Sequence, residues 1–576
     1  MYTLGINAAF HDPAACLVRD GVVLAAAEEE RFTHVKHGKR PVPFTTWDLP
    51  FHAVDYCLKE AGIRLADVDH VAYSFDPALL LGKRRDDPTV PIPLKPGPQP
   101  APDGFEDAWG PLFLASIANA PGFLTDGVPL HLQSRFRGVK LGSEPYRWHW
   151  VPHHLAHAAS AFNCSPFAKA AVLTLDGRGE KTTTGYGLGQ GNRIEWLGQV
   201  FMPHSLGMLY ERVTEYLGFL HSSDEYKVMA LASFGKPRYL AEFRDMVRLG
   251  PNGQYTIEPP KLEERFGPQR LKGGPLDQKH YDIAASLQVV LEETVLEIAK
   301  WLYDATGKTD DLCMAGGVAL NCVMNARIRD RGPFKRIWVQ PAAGDAGTAL
   351  GAALWTDVKV RGSDERGWTM DHAFLGPETS DEEIETFLRW TQVPYRKLTN
   401  VAEETADILA QDKVIGWCQG RMEFGPRALG ARSILASPIH ANMQARLNEI
   451  KDREDFRPVA PVVLEEEAAN WFVNGDYSPF MLFVYDVRPE AAGKIPAVRH
   501  VDGTARIQTV NRDQHPRYYD LLKAFQKRTG VPVLVNTSFN TRGEPIVCSV
   551  RDTVECFWTS PMDALVIGSF VLEKKA

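Results

Sequence analysis

The sequence lacks closely spaced cysteine pairs, long apolar runs and an excess of basic residues. Its eight cysteines are scattered over 576 residues, so we expect reduced, buried thiols rather than a zinc ribbon or a disulfide framework. No segment approaches the roughly 18 apolar residues of a membrane-spanning helix, and no charged and apolar leader opens the chain. The formal net charge of −8 disfavours nucleic acid as the main partner. We therefore expect a cytoplasmic protein with no membrane or nucleic-acid partner.

Apolar segments alternate with turns in residues 2–30, and this alternation predicts three strands. The dipeptide Asp20-Gly21 lies between two of them, where it favours a hairpin. Residues 170–198 repeat the same plan, so we predict an internal duplication of architecture rather than of sequence. Amphipathic patterns predict helices over 51–62, 206–219, 237–248 and 282–305.

Two histidines, His153 and His157, share one face of a predicted helix and form half of a metal site. A solvated, mildly polar helix start is the alternative interpretation. Asp176 ends an apolar strand, where its carboxylate is placed to bind a metal or to face a phosphate. The glycine pair Gly316-Gly317 follows another apolar strand, and it lets the backbone approach a flat ligand or a phosphate.

Two further segments leave alternatives open. Residues 86–104 are rich in proline and predict an extended surface loop, which is either a lid over a pocket or a passive insertion. Residues 224–232 combine an acidic-basic cluster with an apolar run. That run is either packed in the core beside a salt bridge or in contact with a nucleotide.

Basic residues recur with glycines in several segments of the last third of the chain. Guanidinium groups match phosphate oxygens and lysine adds a point charge, so the set predicts a polyphosphate site. Isolated surface ion pairs are the alternative for any single residue. The candidate phosphate-binding residues are Arg427, Arg432, Lys451, Arg453, Arg457 and Arg506.

The motifs of residues 1–355 resemble the Kae1-type branch of the actin/Hsp70 ATP-binding fold. They are the His153/His157 helix, the Asp176 turn, the Gly316-Gly317 loop and Asp345 in a glycine-rich loop. The resemblance implies an iron or similar divalent ion held by those histidines and aspartates beside nucleotide phosphates. It treats His154 as structural. The nucleotide contacts that we expect with it are Gly177, Gly316, Gly317 and Asn321.

Residues 401–576 are similar to the YrdC/Sua5 fold, an α/β domain with an open twisted sheet. The similarity lies in Lys451 and Arg453 paired with Ser538 and Asn540, which would position the nucleotide. Residues 356–400 are interpreted as a linker. A Kae1-like half followed by a YrdC-like half resembles the NodU/CmcH family of O-carbamoyltransferases, which includes the tobramycin carbamoyltransferase. The most specific runs are FGPRALG at 424–430 and VNTSFN at 535–540.

The resemblance implies a reaction in two steps. Carbamoyl phosphate and ATP would form carbamoyl-adenylate in the second domain, with Mg²⁺ as the phosphate partner. The first domain would pass the carbamoyl group to a hydroxyl of a natural product, as in antibiotic biosynthesis. His11 is the predicted general base and Asp12 its orienting partner, although His11 as a turn residue bonded to backbone is the alternative.

Three rival interpretations share parts of this pattern. An enzyme of tRNA threonylcarbamoyladenosine biosynthesis uses the same two folds, but the acidic balance disfavours a tRNA surface. Hydrogenase-maturation carbamoyltransferases carry zinc-type cysteine pairs that are absent here. A nucleotide-switched binding protein of the Hsp70/actin type would leave the arginine-rich half unexplained. A homodimer is suggested by analogy alone, and the acceptor is left open.

Overall fold

A computed structural model describes residues 1–39, 48–81, 110–126, 145–363, 366–541 and 543–574. The chain divides into two compact units, Met1–Met370 and Asp371–Ala576. This division falls inside the segment 356–400 that the sequence interprets as a linker, although the helix Asp381–Thr391 also lies there. The proline-rich segment 86–104 lies outside the described residues.

The first unit contains two five-stranded mixed sheets and one two-stranded sheet among its described residues. Its strands are Tyr2–Asn7 (β1), Ala14–Arg19 (β2), Val22–Glu28 (β3), His70–Tyr73 (β4), Arg147–Trp150 (β5), Lys169–Leu175 (β6), Thr182–Gln190 (β7), Arg193–Phe201 (β8), Val247–Leu249 (β9), Tyr255–Ile257 (β10), Asp311–Ala315 (β11) and Arg336–Val339 (β12).

The two large sheets have the same strand plan. The first runs β3-β2-β1-β4-β5 and the second runs β8-β7-β6-β11-β12. In each sheet an antiparallel meander of three strands is extended by two parallel strands. The predicted duplication and the α/β class are therefore confirmed, and the hairpin at Asp20-Gly21 joins β2 to β3.

The helices of the first unit lie between these strands. They are Glu30–Thr33, Phe51–Glu60, Ala78–Leu81, Gly110–Ala118, Ala120–Asp126, His153–Phe162, Leu206–Tyr216, Glu225–Ala232, Leu240–Met246, Leu262–Phe266, Gln278–Ala305, Cys322–Arg331 and Ala346–Arg361. The predicted helix over 237–248 is wrong at its end, because residues from Val247 onward turn back at Gly253 to pair as β9 and β10.

Helix Ala346–Arg361 packs directly on helix His153–Phe162. A Cβ atom built on Gly351 would lie 1.9 Å from the carbonyl oxygen of Ala156, so only glycine allows this approach. The backbones of the two helices are therefore in contact; one helix carries His153 and His157, and the other begins directly after Asp345.

The second unit contains an eight-stranded mixed sheet of order β13-β22-β21-β14-β15-β20-β16-β19. The strands of the second unit are Arg396–Lys397 (β13), Ile415–Cys418 (β14), Arg432–Ala436 (β15), Ala460–Leu464 (β16), Val484–Asp486 (β17), Thr504–Arg506 (β18), Gln508–Val510 (β19), Val533–Ser538 (β20), Ala564–Ile567 (β21) and Phe570–Glu573 (β22). Its helices are Asp381–Thr391, Val401–Leu409, Met443–Ile450, Ala468–Trp471, Pro489–Ala492, Pro516–Thr529 and Val550–Thr559.

All eight cysteines are buried free thiols, as the sequence predicts. Among the residues that the structure describes, no helix combines the length and the apolar character needed to cross a membrane.

Candidate active site

The four predicted metal-binding residues of the first unit converge in the structure. His153 Nε2 lies 3.4 Å from Asp345 Oδ1 and 3.7 Å from Asp176 Oδ2. His157 Nε2 lies 3.6 Å and 3.9 Å from the same two oxygens. One ligand atom from each residue falls within 4.8 Å of the others, and all four residues are buried.

The donor atoms of this cluster are those that a cation would use. His153 Nε2, His157 Nε2 and both carboxylate oxygens of Asp345 are buried and have no hydrogen-bond partner among the residues that the structure describes. Buried polar atoms are normally paired, because leaving one unpaired costs about 1–3 kcal/mol. Two imidazole nitrogens and two carboxylates suit a first-row divalent ion. The residues therefore fit the implied metal.

Neighbouring groups fix the orientation of these side chains. His153 Nδ1 donates to the carbonyl oxygen of Ser74 at 3.1 Å, which directs Nε2 toward the carboxylates. Asp176 Oδ1 accepts the amide of Gly317 at 2.7 Å. The buried carboxylate of Glu180 accepts the amide of His153 at 2.9 Å and caps the helix that carries both histidines.

The charges of the cluster reinforce one another. Burial by itself would lower the pKa of His153, but the carboxylates of Asp345 and Asp176 outweigh it and raise the pKa well above its usual value. Burial opposes ionisation of Asp176 as well, yet the histidines lower its pKa strongly. An array that holds cationic protons this tightly would equally favour a metal cation.

His154 lies apart from this cluster, as the sequence predicts. Its Nδ1 atom is 2.8 Å from Thr174 Oγ1 on β6. Burial and the neighbouring His157 lower the pKa of His154 to about 3, so its ring is neutral.

The predicted pair His11 and Asp12 borders the cluster. His11 Nδ1 lies 2.9 Å from Asp12 Oδ2 and 3.8 Å from Asp345 Oδ2. Burial would lower the pKa of His11, but the Asp345 and Asp12 carboxylates raise it to about 9. The structure thus brings His11 to the metal-binding residues, rather than leaving it as an isolated turn residue.

Charged residues that sequence reasoning missed also lie near this turn. Arg178 stacks over the ring of Phe10, with its guanidinium carbon 4.8 Å from the ring centroid. Lys39 is buried and donates to the carbonyl oxygen of Ser222 at 2.8 Å. Burial lowers the pKa of Lys39. Nearby carboxylates, including that of Glu211, act in the opposite direction but do not outweigh burial. Their spacing along the chain carries no signal for this proximity.

Glu225→Gln is expected to stabilise the protein at alkaline pH. Burial and the Glu211 carboxylate raise the pKa of Glu225 from 4.5 to about 8. The folded state therefore binds a proton that the unfolded state releases, and stability declines as pH rises from 4.5 to about 8. Glutamine imitates the neutral acid and removes this decline.

The measurement is the free energy of unfolding in urea at pH 5.5 and pH 8.5. We expect the gain for Glu225→Gln at pH 8.5 to exceed the gain at pH 5.5 by at least about 1.4 kcal/mol, equivalent to one pKa unit. Glu264→Gln, on the exposed surface, is the matched control. An equal gain at both values would show that Glu225 is ionised throughout.

The glycine loop and Asn321 have structural roles that the sequence does not predict. Gly316 has a φ of +97°, and a Cβ atom placed on it would lie 2.1 Å from the carbonyl oxygen of Leu175. The amide of Gly317 holds Asp176. Asn321 accepts the amide of Met324 at 3.0 Å and caps helix Cys322–Arg331. Nucleotide contact by these residues and by Gly177 stays a prediction.

The second unit brings Lys451 together with Ser538 and Asn540. Lys451 Nζ lies 2.6 Å from Asn540 Oδ1, 3.0 Å from Asn540 O and 3.1 Å from Ser538 Oγ, and it also contacts Ser538 O. Lys451 is only 5% exposed. An ammonium group has three protons to donate, so Lys451 holds together the turn that follows β20.

The structure corrects the prediction that Arg432 binds phosphate. Its guanidinium is buried and donates to five backbone carbonyl oxygens at 3.0–3.4 Å. The buried carboxylate of Glu423 complements it by accepting the amides of Leu429, Ala431 and Arg432 at 2.7–3.1 Å. Glu423 therefore holds the end of the loop 424–430, and Arg432 ties together backbone segments that lie far apart in sequence rather than presenting its guanidinium to a ligand.

The other predicted arginines differ in their surroundings. Arg453 Nε donates to Asn448 Oδ1 at 2.7 Å, within its own loop. Arg457 Nη1 lies 3.8 Å from Glu454 Oε2. Arg427 and Arg506 are half-buried. Arg506 Nε is buried and has no hydrogen-bond partner among the described residues, which leaves it suited to an anionic ligand.

Comparison with protein families covers most of the chain. The family described as Carbamoyltransferase N-terminus matches residues 2–78 and 144–354. The family described as Carbamoyltransferase C-terminus matches residues 406–574. The chain belongs to the carbamoyltransferase family. The protein is accordingly a transferase enzyme, as the resemblance implies.

Relatives of this carbamoyltransferase include two nodulation proteins. NolNO of Sinorhizobium fredii is 40% identical over 99% of this chain and 80% of its own. NolO of Bradyrhizobium diazoefficiens is 42% identical over 73% of this chain and 79% of its own. Among solved structures, HypF of T. kodakarensis is similar at a TM-score of 0.35 and 13% identity, over 62% of this chain and 48% of that chain. A similarity that low supports no inference.

Proposed function

We propose that this protein is an ATP-dependent O-carbamoyltransferase that acts through a carbamoyl-adenylate. The observation that carries the proposal is the convergence of His153, His157, Asp176 and Asp345 beside His11 in a chain of the carbamoyltransferase family. The first unit would be a Kae1-like transfer domain, and the second a YrdC-like domain that forms the adenylate.

The second unit would bind carbamoyl phosphate and ATP. Lys451, Arg427 and Arg506 are its candidate cationic contacts, with Ser538 and Asn540 positioning the nucleotide. Water would first hydrolyse carbamoyl phosphate to carbamate and inorganic phosphate. The carbamate carboxylate would then attack the α-phosphorus of ATP and release pyrophosphate. Basic side chains and a Mg²⁺ ion would offset the negative charge on attacking and leaving groups.

The first unit would carry out the transfer. His153, His157, Asp176 and Asp345 would hold an iron(II) or similar divalent ion, which would bind the adenylate phosphate and stabilise departing AMP. The acceptor hydroxyl would attack the carbamoyl carbon as AMP leaves. Its proton must go to a base within hydrogen-bond reach.

His11 is the proposed base. Asp12 engages its Nδ1 atom and leaves Nε2 for the acceptor. The pKa of about 9 reflects the uncompensated charge of Asp345. Neutralising that carboxylate with a cation would lower the pKa toward the range in which an imidazole accepts a proton at neutral pH.

The test of the function is the dependence of AMP and pyrophosphate formation on both substrates. AMP is expected only when carbamoyl phosphate and ATP are supplied together. Hydroxylated acceptors are then screened by mass spectrometry for a gain of one carbamoyl group, beginning with aminosugars, macrolide sugars, polyketide alcohols and cephem hydroxymethyl compounds. ATP turnover without carbamoyl phosphate would favour a nucleotide-switched binding protein, and a gel shift with tRNA would favour the tRNA-modifying alternative.

His11→Asn is expected to abolish carbamoyl transfer while carbamoyl-adenylate formation persists. Asparagine keeps a donor near Asp12 but provides no basic nitrogen, and loss of general-base catalysis costs about 10²- to 10⁴-fold. The measurement separates ATP- and carbamoyl-phosphate-dependent pyrophosphate release from acceptor carbamoylation. His52→Asn, at an exposed histidine paired with Glu29 at 2.6 Å, is the control. If both half-reactions fell together, His11 would not be the base.

A further inference from the structure

Asp12 is held from both sides by histidines. Its Oδ2 atom lies 2.9 Å from His11 Nδ1, and its Oδ1 atom lies 2.8 Å from His37 Nδ1. The backbone amide of Asp12 also donates to the carbonyl oxygen of His37 at 2.9 Å. His37 therefore contacts Asp12 twice, once through its ring and once through its backbone, although the two residues are 25 positions apart in sequence.

The turn that presents His11 has an unfavourable backbone conformation. Phe10 and Asp12, on either side of it, have φ angles of 54° and 51°, and His37 has a φ of 58°. Left-handed φ values are uncommon for residues with a Cβ, and surrounding contacts must hold such residues in place. Asn7 Nδ2 compensates on one side by donating to the carbonyl oxygens of His11 and Asp12 at 2.9 Å and 3.0 Å. His37 supplies the contacts on the other side.

His37 is itself anchored to a buried ion pair. Its amide donates to Glu30 Oε2 at 2.6 Å, and Glu30 Oε1 lies 2.7 Å from Arg31 Nη1. Both Glu30 and Arg31 are buried. These contacts lead from a buried acid-base pair through His37 to Asp12 and then to His11.

We propose that His37 is a positioning residue that locks Asp12 and thereby orients His11 toward the acceptor hydroxyl. This inference rests on the proposed function of the same site. Asp12, Glu30 and His37 are also close enough to form a second metal-binding group. Glu30 already engages Arg31 and the His37 amide, so the contacts favour a hydrogen-bonded lock over a cation.

The test compares His37→Leu with His37→Asn. Leucine removes the hydrogen bond to Asp12, and we expect kcat for transfer to fall about tenfold to a hundredfold, as small misplacements of catalytic groups do. The KM for the acceptor and the rate of adenylate formation should stay unchanged. Asparagine retains a donor near the position of Nδ1 and should restore most of the rate. His52→Leu, which breaks a comparable histidine-glutamate contact away from the site, should behave as wild type.

A second measurement does not depend on finding an acceptor. Diethyl pyrocarbonate modifies unprotonated imidazole nitrogen, and peptide mass spectrometry gives its rate at His11 alone. His37→Leu should change that rate in the metal-loaded protein, and His37→Asn should restore it. If no hydroxyl accepts a carbamoyl group, the proposed function fails while this measurement still judges the role of His37.

Three results would overturn the inference. If His37→Leu has the same transfer rate and the same rate of His11 modification as the wild type, the contact between His37 and Asp12 is unnecessary. Equal damage by leucine and asparagine would assign His37 a packing role. A loss of one bound metal ion per chain in His37→Leu would identify the group as a cation site instead.

Discussion

Asp345→Asn is expected to prevent metal binding at the proposed site and to abolish carbamoyl transfer. Asp345 Oδ1 lies closest of the carboxylate oxygens to both histidine Nε2 atoms, at 3.4 Å and 3.6 Å. Both its oxygens are buried, with no hydrogen-bond partner in the described part of the chain. Asparagine removes the negative charge and replaces one carboxylate oxygen with an amide nitrogen, which does not bind a metal ion. Because changes outside the ligand set already cost about 10- to 100-fold in affinity, a larger loss is expected here.

Metal content measured by mass spectrometry and acceptor carbamoylation should fall together in Asp345→Asn. Adenylate formation in the second unit should continue. Asp357 provides a matched control, since it is another buried aspartate of helix Ala346–Arg361, paired with Arg361 at 2.6 Å. Asp357→Asn should keep its metal. Full transfer activity by a metal-free Asp345→Asn protein would rule out a role for the ion, and a chelator should reproduce the variant in the wild type.

Lys451→Met is expected to abolish carbamoyl-adenylate formation, which is the first of the two proposed half-reactions. The ammonium of Lys451 is buried among oxygens of Ser538 and Asn540, so it both orders that turn and places positive charge beside it. Methionine retains the length of the side chain but supplies neither donor nor charge. Removing one preorganised electrostatic contact costs about 10²- to 10³-fold in rate, and loss of the turn would add to this.

Pyrophosphate release measures this effect, and metal content of the first unit should not change. Lys413→Met is the control, because Lys413 forms an exposed ion pair with Glu573 at 3.5 Å. Transfer from chemically prepared carbamoyl-adenylate should survive in Lys451→Met. Normal pyrophosphate release in that variant would place the nucleotide elsewhere in the protein.

Local patterns in the sequence predict much of the scaffold, and the residues predicted to bind a metal lie together in the structure. Strand alternation with an Asp-Gly turn specifies the meander of β1, β2 and β3, and its repetition reveals the duplication. Spacing on one helix face brings His153 beside His157, since helical geometry is short-range. The sequence also predicts the two aspartates. Asp176 ends a strand and Asp345 lies in a glycine-rich loop, and the fold fixes where each of these segments ends.

Long-range roles are not encoded in such patterns. Arg432 lies in a glycine-rich arginine motif that is typical of a phosphate site, yet its guanidinium is buried against backbone carbonyls as distant in sequence as Pro377 and Cys548. Asn321 follows a glycine loop, but its side chain caps a helix. The contact between His37 and Asp12 joins two strained turns that only tertiary structure brings together.

The close approach at Gly351 constrains the backbone around the candidate metal site. The helix that begins after Asp345 rests on the backbone of the helix that carries His157, with no side chain between them at Gly351. Main chain in contact with main chain therefore fixes the distance between these two helices. A larger residue at position 351 would push the helices apart, and with them the backbone positions from which His157 and Asp345 project.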